Sequence, residues 1–334
     1  MEGSRRGDFD VSPTDILEGI RSWLAAQGWG LAEVEPVSGG TNNRVFRIGL
    51  GAESRLLKIS AHKADDPRDR FSAEQEFYDF LEAGRVNSAP RRFGLEPSHR
   101  AAFYEWIDGR RVGAEVGEKE LDAALEFVAK VQQSVPPNAD RIASEACFAL
   151  SDHLALIDRR IDALRSRLRA RQVVGSFVDD ELMPAWRKTQ RELAGRPAAD
   201  FAASSGRRLF SPGDFGFHNA LRKADGQLFF FDFEYCGWDD PAKTVADIFL
   251  QPESPVDLRH WDSFCEEFGE RLKLGDSFAD RADALRPLFA VKWACILLNA
   301  LIKNPAAGSD QETLQLAKAR SVLARRAEES GGAS

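Results

Sequence analysis

Apolar positions recur first at helical spacing, then at strand spacing, then at helical spacing again, and this order predicts the architecture of the chain. Ser12-Pro-Thr-Asp15 opens a helix: Ser12 can cap, Pro13 suits the first turn and Asp15 stands where a capping-box acid stands. Ile16, Leu17, Ile20, Trp23 and Leu24 follow on one face, and Gly28 ends the run. The period then shortens. Residues 31–37, 44–48 and 55–59, separated by glycine-bearing turns, predict three antiparallel strands. Residues 70–81 return to helical spacing, and 101–106 form an apolar strand broken by Asp108-Gly109. Beyond residue 118 helices dominate. Leu121, Leu125, Val128 and Val131 make one stripe, and 145–171 reads as a long helix with Leu150, Leu154, Ile157, Ile161 and Leu164 inward. Residues 176–194 make another, and 195–205, rich in Ala, Gly, Pro and Ser, reads as a connector. Residues 209–233 carry the strand signal of this half, with Asp225-Gly226 as its hairpin turn. The remainder, 242–329, is helical. The expectation is an α+β protein with a small antiparallel-sheet lobe, residues 1–108, and a larger, mostly helical lobe, residues 109–334.

Composition narrows the function. Of 334 residues 43% are hydrophobic and 29% charged, ordinary for a globular protein. A net charge of -8 argues against a general nucleic-acid binder while leaving nucleotide binding open, since a bound metal offsets local negative charge. Cys147, Cys236, Cys265 and Cys295 fit neither a zinc site nor a disulfide framework and read as reduced thiols of a cytoplasmic protein. The opening residues lack the apolar core of a secretory signal. The apolar stretch 289–302, interrupted by Lys292 and Asn299, reads as too short and too polar to span a membrane. The expected partner is a small molecule, with neither nucleic acid nor membrane.

The chemistry-bearing run is Ser211-Pro-Gly-Asp-Phe-Gly-Phe-His-Asn219, followed by Phe231-Asp-Phe-Glu234. An aspartate, an asparagine five residues on and a second aspartate at a strand end suit phosphoryl transfer. One carboxylate orients an acceptor hydroxyl, while the amide and the second carboxylate hold Mg²⁺ against nucleotide phosphates. Upstream stand Ser38-Gly-Gly-Thr-Asn-Asn43, the lysine of Leu56-Leu-Lys58-Ile, and the acids of Glu74-Gln-Glu76. The glycines read equally as a hairpin turn or as a phosphate approach.

In this order the motifs resemble the aminoglycoside phosphotransferase and choline kinase family, with a protein-kinase-like fold, from about Glu35 to Asp247. The resemblance implies ATP, with GTP possible, Mg²⁺ and a small-molecule hydroxyl acceptor. Gly39, Gly40 and Asn43 would approach the phosphates. Lys58 would hold them, backed by Glu74 or alternatively Glu76. In Phe103-Tyr-Glu-Trp-Ile-Asp-Gly109, Tyr104 would line the back of the pocket, with the Glu105 carbonyl and Ile107 amide on adenine. Asp214 would orient the acceptor, and Asn219 and Asp232 would bind the metal. Glu234 would lie near metal or acceptor, and Asp247 would hold the catalytic loop through its backbone. Pro212 stands where the family carries a loop-bracing histidine, and Gly216 replaces a second one. His218 reads as a structural histidine or as a contact to phosphate or acceptor.

A helix beginning near Ala242 leaves little room for a peptide platform. In the region after Asp257, acids with Trp261, Phe264 and Phe268 suit a cationic acceptor, whereas Leu258, Trp261, Cys265, Phe268 and Leu272 also match a core stripe. Lys292, on an apolar helix, needs an anionic partner, either a protein carboxylate or an acidic acceptor. The leading reading is a small-molecule kinase. The others are a catalytically inactive, nucleotide-binding pseudokinase and a nucleotidyl transferase.

Overall fold

The computed structural model describes residues 13–37, 43–61, 68–113, 116–196, 201 and 208–326. The chain forms two compact units, Met1–Arg110 with Leu221–Tyr235, and Arg111–Ala220 with Cys236–Ser334. Gly39 and Gly40 lie outside the described residues.

The first unit is built on strands β1 (Glu33–Pro36), β2 (Asn43–Leu50), β3 (Glu53–Ser60), β4 (Arg92–Glu96) and β5 (Ala101–Glu105). They form one antiparallel sheet in the order β1-β2-β3-β5-β4. Leu50 pairs with Glu53, so β2 and β3 are joined by two residues, and Gly51 takes the positive φ of 61° that this turn requires. Strand alternation gives the sheet two faces. Leu57, Ile59 and Phe103 cluster with Phe46, Ile48 and the Ile20 and Leu24 side chains of α1 (Pro13–Ala26). Tyr104, next to Phe103, instead meets Tyr78 of α2 (Arg70–Ala83), ring centres 4.7 Å apart. Helix α2 starts at Asp69, whose carboxylate accepts from the Ser72 N–H at 3.2 Å. Strand β4 was not expected: it is an edge strand, irregular between Arg92 and Gly94, with Leu95 exposed, so alternation barely marks it. The unit also takes in Leu221–Tyr235, so it is discontinuous in sequence.

After the two-residue strand β6 (Arg110–Arg111) come α3 (Glu118–Ser134) and α4 (Leu150–Arg167). The long helix expected over 145–171 is shorter at both ends. Glu145 takes φ 58°, and Asp152 accepts from the N–H groups of Phe148 and Ala149, fixing the start at Leu150. Then follow α5 (Gln172–Phe177), a π turn over Val178–Leu182 and α6 (Met183–Ala194). The wider turn precedes Pro184, which cannot donate to the helix ladder. Strand β7 (Leu209–Ser211) pairs with β10 (Gly237–Asp239). Strands β8 (Ala220–Arg222) and β9 (Leu228–Phe230) flank the Asp225-Gly226 turn, where Gly226 takes φ 91°. Gly237 is obligatory, because a Cβ there would lie 2.4 Å from the Ala143 nitrogen.

Helices α7 (Pro241–Leu250), α8 (Trp261–Arg271), α9 (Phe278–Lys303) and α10 (Ser309–Ala324) complete the chain. By length and composition α9 could cross a membrane, which overturns the expected shortness: the helix runs on toward its N-terminus past Arg281 and Arg286. Of its apolar window 72% is buried in the protein, and it packs against α4, α7, α8 and α10. A buried ionic joint ties three of these helices. Asp240 caps α7 through the Ala242 N–H at 2.9 Å, accepts two bonds from Arg281 of α9, and lies 2.9 Å from His153 Nε2 of α4. Burial opposes its charge, yet Arg281 and His153 hold the Asp240 carboxyl well below the usual carboxylate range.

Removing Arg281 leaves that carboxylate buried and underpaired. Arg281→Met is expected to lower stability by about 3–5 kcal/mol at neutral pH, read by urea unfolding. A depressed carboxyl stabilises fully above its unfolded pKa, near 4, and loses that contribution as pH falls through the folded value. The gap between wild type and variant should therefore narrow in acid.

Candidate functional site

In the first unit the site is built around Lys58. Its neighbours Leu57 and Ile59 enter the core on one face of β3, so Lys58 leaves on the other, toward α2. Its ammonium lies 2.8 Å from Glu74 Oε1 and 2.6 Å from Asp232 Oδ1. Glu74, rather than Glu76, is the helix partner of Lys58. Asp232 takes a left-handed conformation, φ 70°, uncommon for a residue with a side chain. The next residue holds it there: Phe233 stacks on Phe77 at 4.4 Å and donates its N–H to Glu74 Oε1 at 3.3 Å. Burial works against the Lys58 ammonium, but Asp232 and Glu74 outweigh it and raise its pKa well above the ordinary value. Burial pushes the Glu74 carboxyl up to about 7 against the pull of Lys58, and its Oε2 is buried without a hydrogen bond. Asp232 keeps 35% of its side chain exposed, and among the described residues its second oxygen has no partner. A hard cation is bound by oxygens of this kind.

Glu234 has a different task from the one expected. It is buried, accepts from Asn43 Nδ2 at 2.9 Å and meets Arg70 Nη1 at 3.4 Å. Asn43 is thus tied to the segment after Asp232. Tyr104 is buried, and its hydroxyl accepts from Gln75 at 3.0 Å. The Ile107 amide donates to no acceptor among the described residues, and the Glu105 N–H donates to the Arg91 carbonyl at 2.8 Å.

In the second unit the loop after β7 holds Asp214 and Asn219. The Asn219 amide nitrogen donates to the Asp214 carbonyl at 3.0 Å, so the amide oxygen is the group left to accept. Asp214 keeps 40% of its side chain exposed, and its Oδ2 lies 3.4 Å from His218 Nε2, a charge contact rather than a good hydrogen bond. Burial opposes ionisation of Asp214, but His218, Lys292 and Lys243 lower its pKa. His218 occupies the space a side chain at Gly216 would need, since a Cβ there would be 3.0 Å from His218 Nδ1.

The loop's bracing was not legible at Pro212. Ser211 Oγ accepts from the Gly213 N–H at 3.1 Å and from Thr244 Oγ1 at 3.0 Å. Gln132 of α3 donates to the Phe210 carbonyl at 2.9 Å and accepts its N–H at 3.0 Å. Phe215 stacks on Phe127 at 5.5 Å, and Phe217 is fully buried. The one sequence hint of Gln132 is its place beside the stripe of α3.

One other expectation is corrected, and one open reading is decided. Asp247 accepts from the Trp293 indole at 3.0 Å, and among the described residues it does not bond the loop backbone. Asp239 accepts from the Cys147 and Asp240 N–H groups and pairs with Lys243. Trp261, Phe264 and Phe268 are buried against Phe249 and Phe278, so they form core and not an acceptor cage. Lys292 is 4% exposed and has neither a hydrogen bond nor an ion pair among the described residues. Burial and Lys243 lower its pKa against the carboxylates of Asp247, Asp239 and Glu145. Among the described residues no three His, Cys, Asp or Glu side chains gather as a metal cage.

The fold is kinase-like. A choline kinase from Cryptosporidium parvum superposes with a TM-score of 0.59 at 13% identity, covering 93% of this chain and 97% of its own. Choline kinase LicA from Streptococcus pneumoniae gives 0.56 at 15%, covering 93% and 99%. An aminoglycoside phosphotransferase, APH(4)-Ia, solved with AMP-PNP and hygromycin B, gives 0.50 at 16%, covering 93% and 100%. No curated protein matches the chain in sequence. The model of the phosphotransferase enzyme family matches residues 33–287, more than half of the chain, and the chain belongs to that family.

Proposed function

We propose that this phosphotransferase is an ATP- and Mg²⁺-dependent kinase that phosphorylates a hydroxyl group of a small molecule in the cytoplasm. The observation that carries the reading is the Lys58 ammonium shared between Glu74 and Asp232. Lys58 engages one oxygen of each carboxylate and leaves the solvent-reached second oxygen of Asp232 without a partner among the described residues, which favours a divalent ion there. Lys58 would grip the nucleotide phosphates, held in place by Glu74. The Ile107 amide, which has no acceptor among the described residues, is a ready donor to a nucleotide base. Asp214 would accept or orient the proton of the acceptor hydroxyl. Asp232 would offer a metal its exposed carboxylate oxygen, and Asn219, in the other unit, is the metal ligand that the family resemblance implies. Mg²⁺ would neutralise charge on the transferring phosphoryl group. The buried thiols of Cys147, Cys265 and Cys295 support a reducing compartment.

Choline kinases and an aminoglycoside phosphotransferase share the fold. Choline, ethanolamine and aminoglycosides therefore belong in the acceptor pools. Lys292, a buried cation that acts on Asp214, argues for adding hydroxy acids and acidic sugars.

Turnover of Mg-ATP against pooled hydroxyl acceptors, with products read by mass, tests the reading. Asp214→Asn should lower kcat by about 10²–10⁴-fold with ATP affinity unchanged. ATP binding without turnover in every pool would favour the pseudokinase, and a nucleotidyl-sized mass gain would favour nucleotidyl transfer. Glu74→Gln should weaken ATP binding by about tenfold, because Lys58 loses one charged partner. Glu76→Gln should leave ATP binding as it is; equal effects of the two would overturn the assignment of Glu74.

A further inference from the structure

The first unit contains a second concavity, of about 800 Å³, lined by parts of α2, β4, the end of β5 and the β8–β9 hairpin. That size suits a small molecule. Lys58, Glu74 and Asp232 are not among its lining residues. Arg55, Arg85, Arg91 and Arg92 converge on it, with Phe93 and Phe229. In a chain of net charge -8, four guanidiniums in one cavity call for a reason.

Protein carboxylates account for only part of this charge. Arg92 is matched by Asp79 at 2.5 Å and Glu82 at 3.0 Å. Glu105, the other acid of the lining, turns to the Arg91 backbone N–H at 3.3 Å. Arg55 and Arg91 both stack on the Phe93 ring, 4.0 and 4.3 Å from its centre. Arg55 has Glu53 at 3.4 Å, a mostly exposed side chain. Among the described residues neither Arg91 nor Arg85 has a carboxylate partner. Arg85 is also unusually placed. It holds the left-handed position that ends α2, φ 52°, with its N–H on the Glu82 carbonyl and the Val86 N–H on Leu81. Glycine normally fills that position, yet Gly84, one residue earlier, stays right-handed at φ -81°. The backbone thereby directs an arginine, and not a glycine, to the rim.

We propose that this cavity binds a small anion, a phosphate- or carboxylate-bearing molecule with an apolar or aromatic body. Planar guanidiniums grip such groups bidentately, and a bound anion relieves the repulsion of two cations on one ring. The body would lie on Phe93 and Phe229, above buried Leu81, Val86 and Pro90.

Calorimetric titration of the full chain with phenyl phosphate, at low ionic strength, tests this. Phenyl phosphate should bind at one site, benzylamine should not bind, and inorganic phosphate should bind more weakly. Phenylacetate in the same assay separates phosphate from carboxylate preference, and binding of either acid supports the site. Arg91→Gln and Arg85→Asn should each weaken binding by about tenfold, and Lys58→Met should not. Asn tolerates the left-handed position, so Arg85→Asn should fold. Binding that survives both arginine changes, is lost in a Lys58→Met protein whose circular dichroism and melting match wild type, or is absent for all anionic probes at millimolar concentration would overturn the proposal. Equal affinity for inorganic phosphate would remove the apolar body from it.

Discussion

The N-terminal unit depends on one buried ammonium. Lys58 is 8% exposed, and its charge is tolerable only because Glu74 and Asp232 are within hydrogen-bonding distance. The arrangement constrains three elements at once: β3 supplies the cation, α2 one carboxylate, and the segment after β9 the other. The Phe233 N–H bond to Glu74 and the Asn43–Glu234–Arg70 contacts extend the same network through backbone and side chain. The left-handed Asp232 is its strained member, and the aromatic packing of Phe233 on Phe77 maintains it. The second oxygen of Asp232, the carboxylate that solvent reaches, has no partner among the described residues. A site made only for stability would bury that oxygen or match it; this one leaves it available to a cation.

The C-terminal unit solves a different problem with similar means. Its buried ions are mostly paired within hydrogen-bond reach: Asp240 with Arg281 and His153, Asp239 with Lys243. These pairs fix the start of α7 against α4 and α9. Lys292 is the contrast. It is as buried as they are but reaches carboxylates only through space, and burial lowers its pKa instead of a partner raising it. The same field, with His218, keeps Asp214 ionised below the usual range. The lysine pair and the imidazole thus favour the Asp214 anion without reaching it in good hydrogen-bond geometry.

The legible parts of the sequence were those with strong local signals. Alternation gave β2, β3 and β5, because the turn at Gly51 and the apolar run at Phe103 are unambiguous, and Asp225-Gly226 marked the β8–β9 hairpin. Motif order singled out Lys58, Asp214, Asn219 and Asp232, and the structure brings Lys58 and Asp232 together. The rest depends on contacts distant in sequence. β4 is an irregular edge strand whose pairing partner, not its composition, defines it. The start of α4 follows from a left-handed Glu145 that no periodicity encodes. Glu234 and Asp247 were placed by motif order, yet their partners, Asn43 and Trp293, are far away along the chain. Trp261 and Phe268 could have served core or ligand by spacing alone, and burial decided for core.

Pro212 was the strongest sequence argument for an inactive protein, since it removes a histidine that would brace the loop. The argument weakens once the bracing is traced. A loop needs its backbone groups satisfied and its ends fixed; a histidine is one way to provide this. Here Ser211 takes the Gly213 N–H, Thr244 steadies Ser211, and Gln132 satisfies both backbone groups of Phe210. Phe215 and Phe217 anchor the loop from within by burial. Proline itself fixes φ and reduces the freedom of the unfolded loop, so it contributes order where the histidine contributed bonds. The exchange at Gly216 and His218 follows the same logic: an imidazole fills the space that the missing side chain vacates and stays beside Asp214. The departures therefore alter how the loop is held and leave Asp214 and Asn219 in place within it.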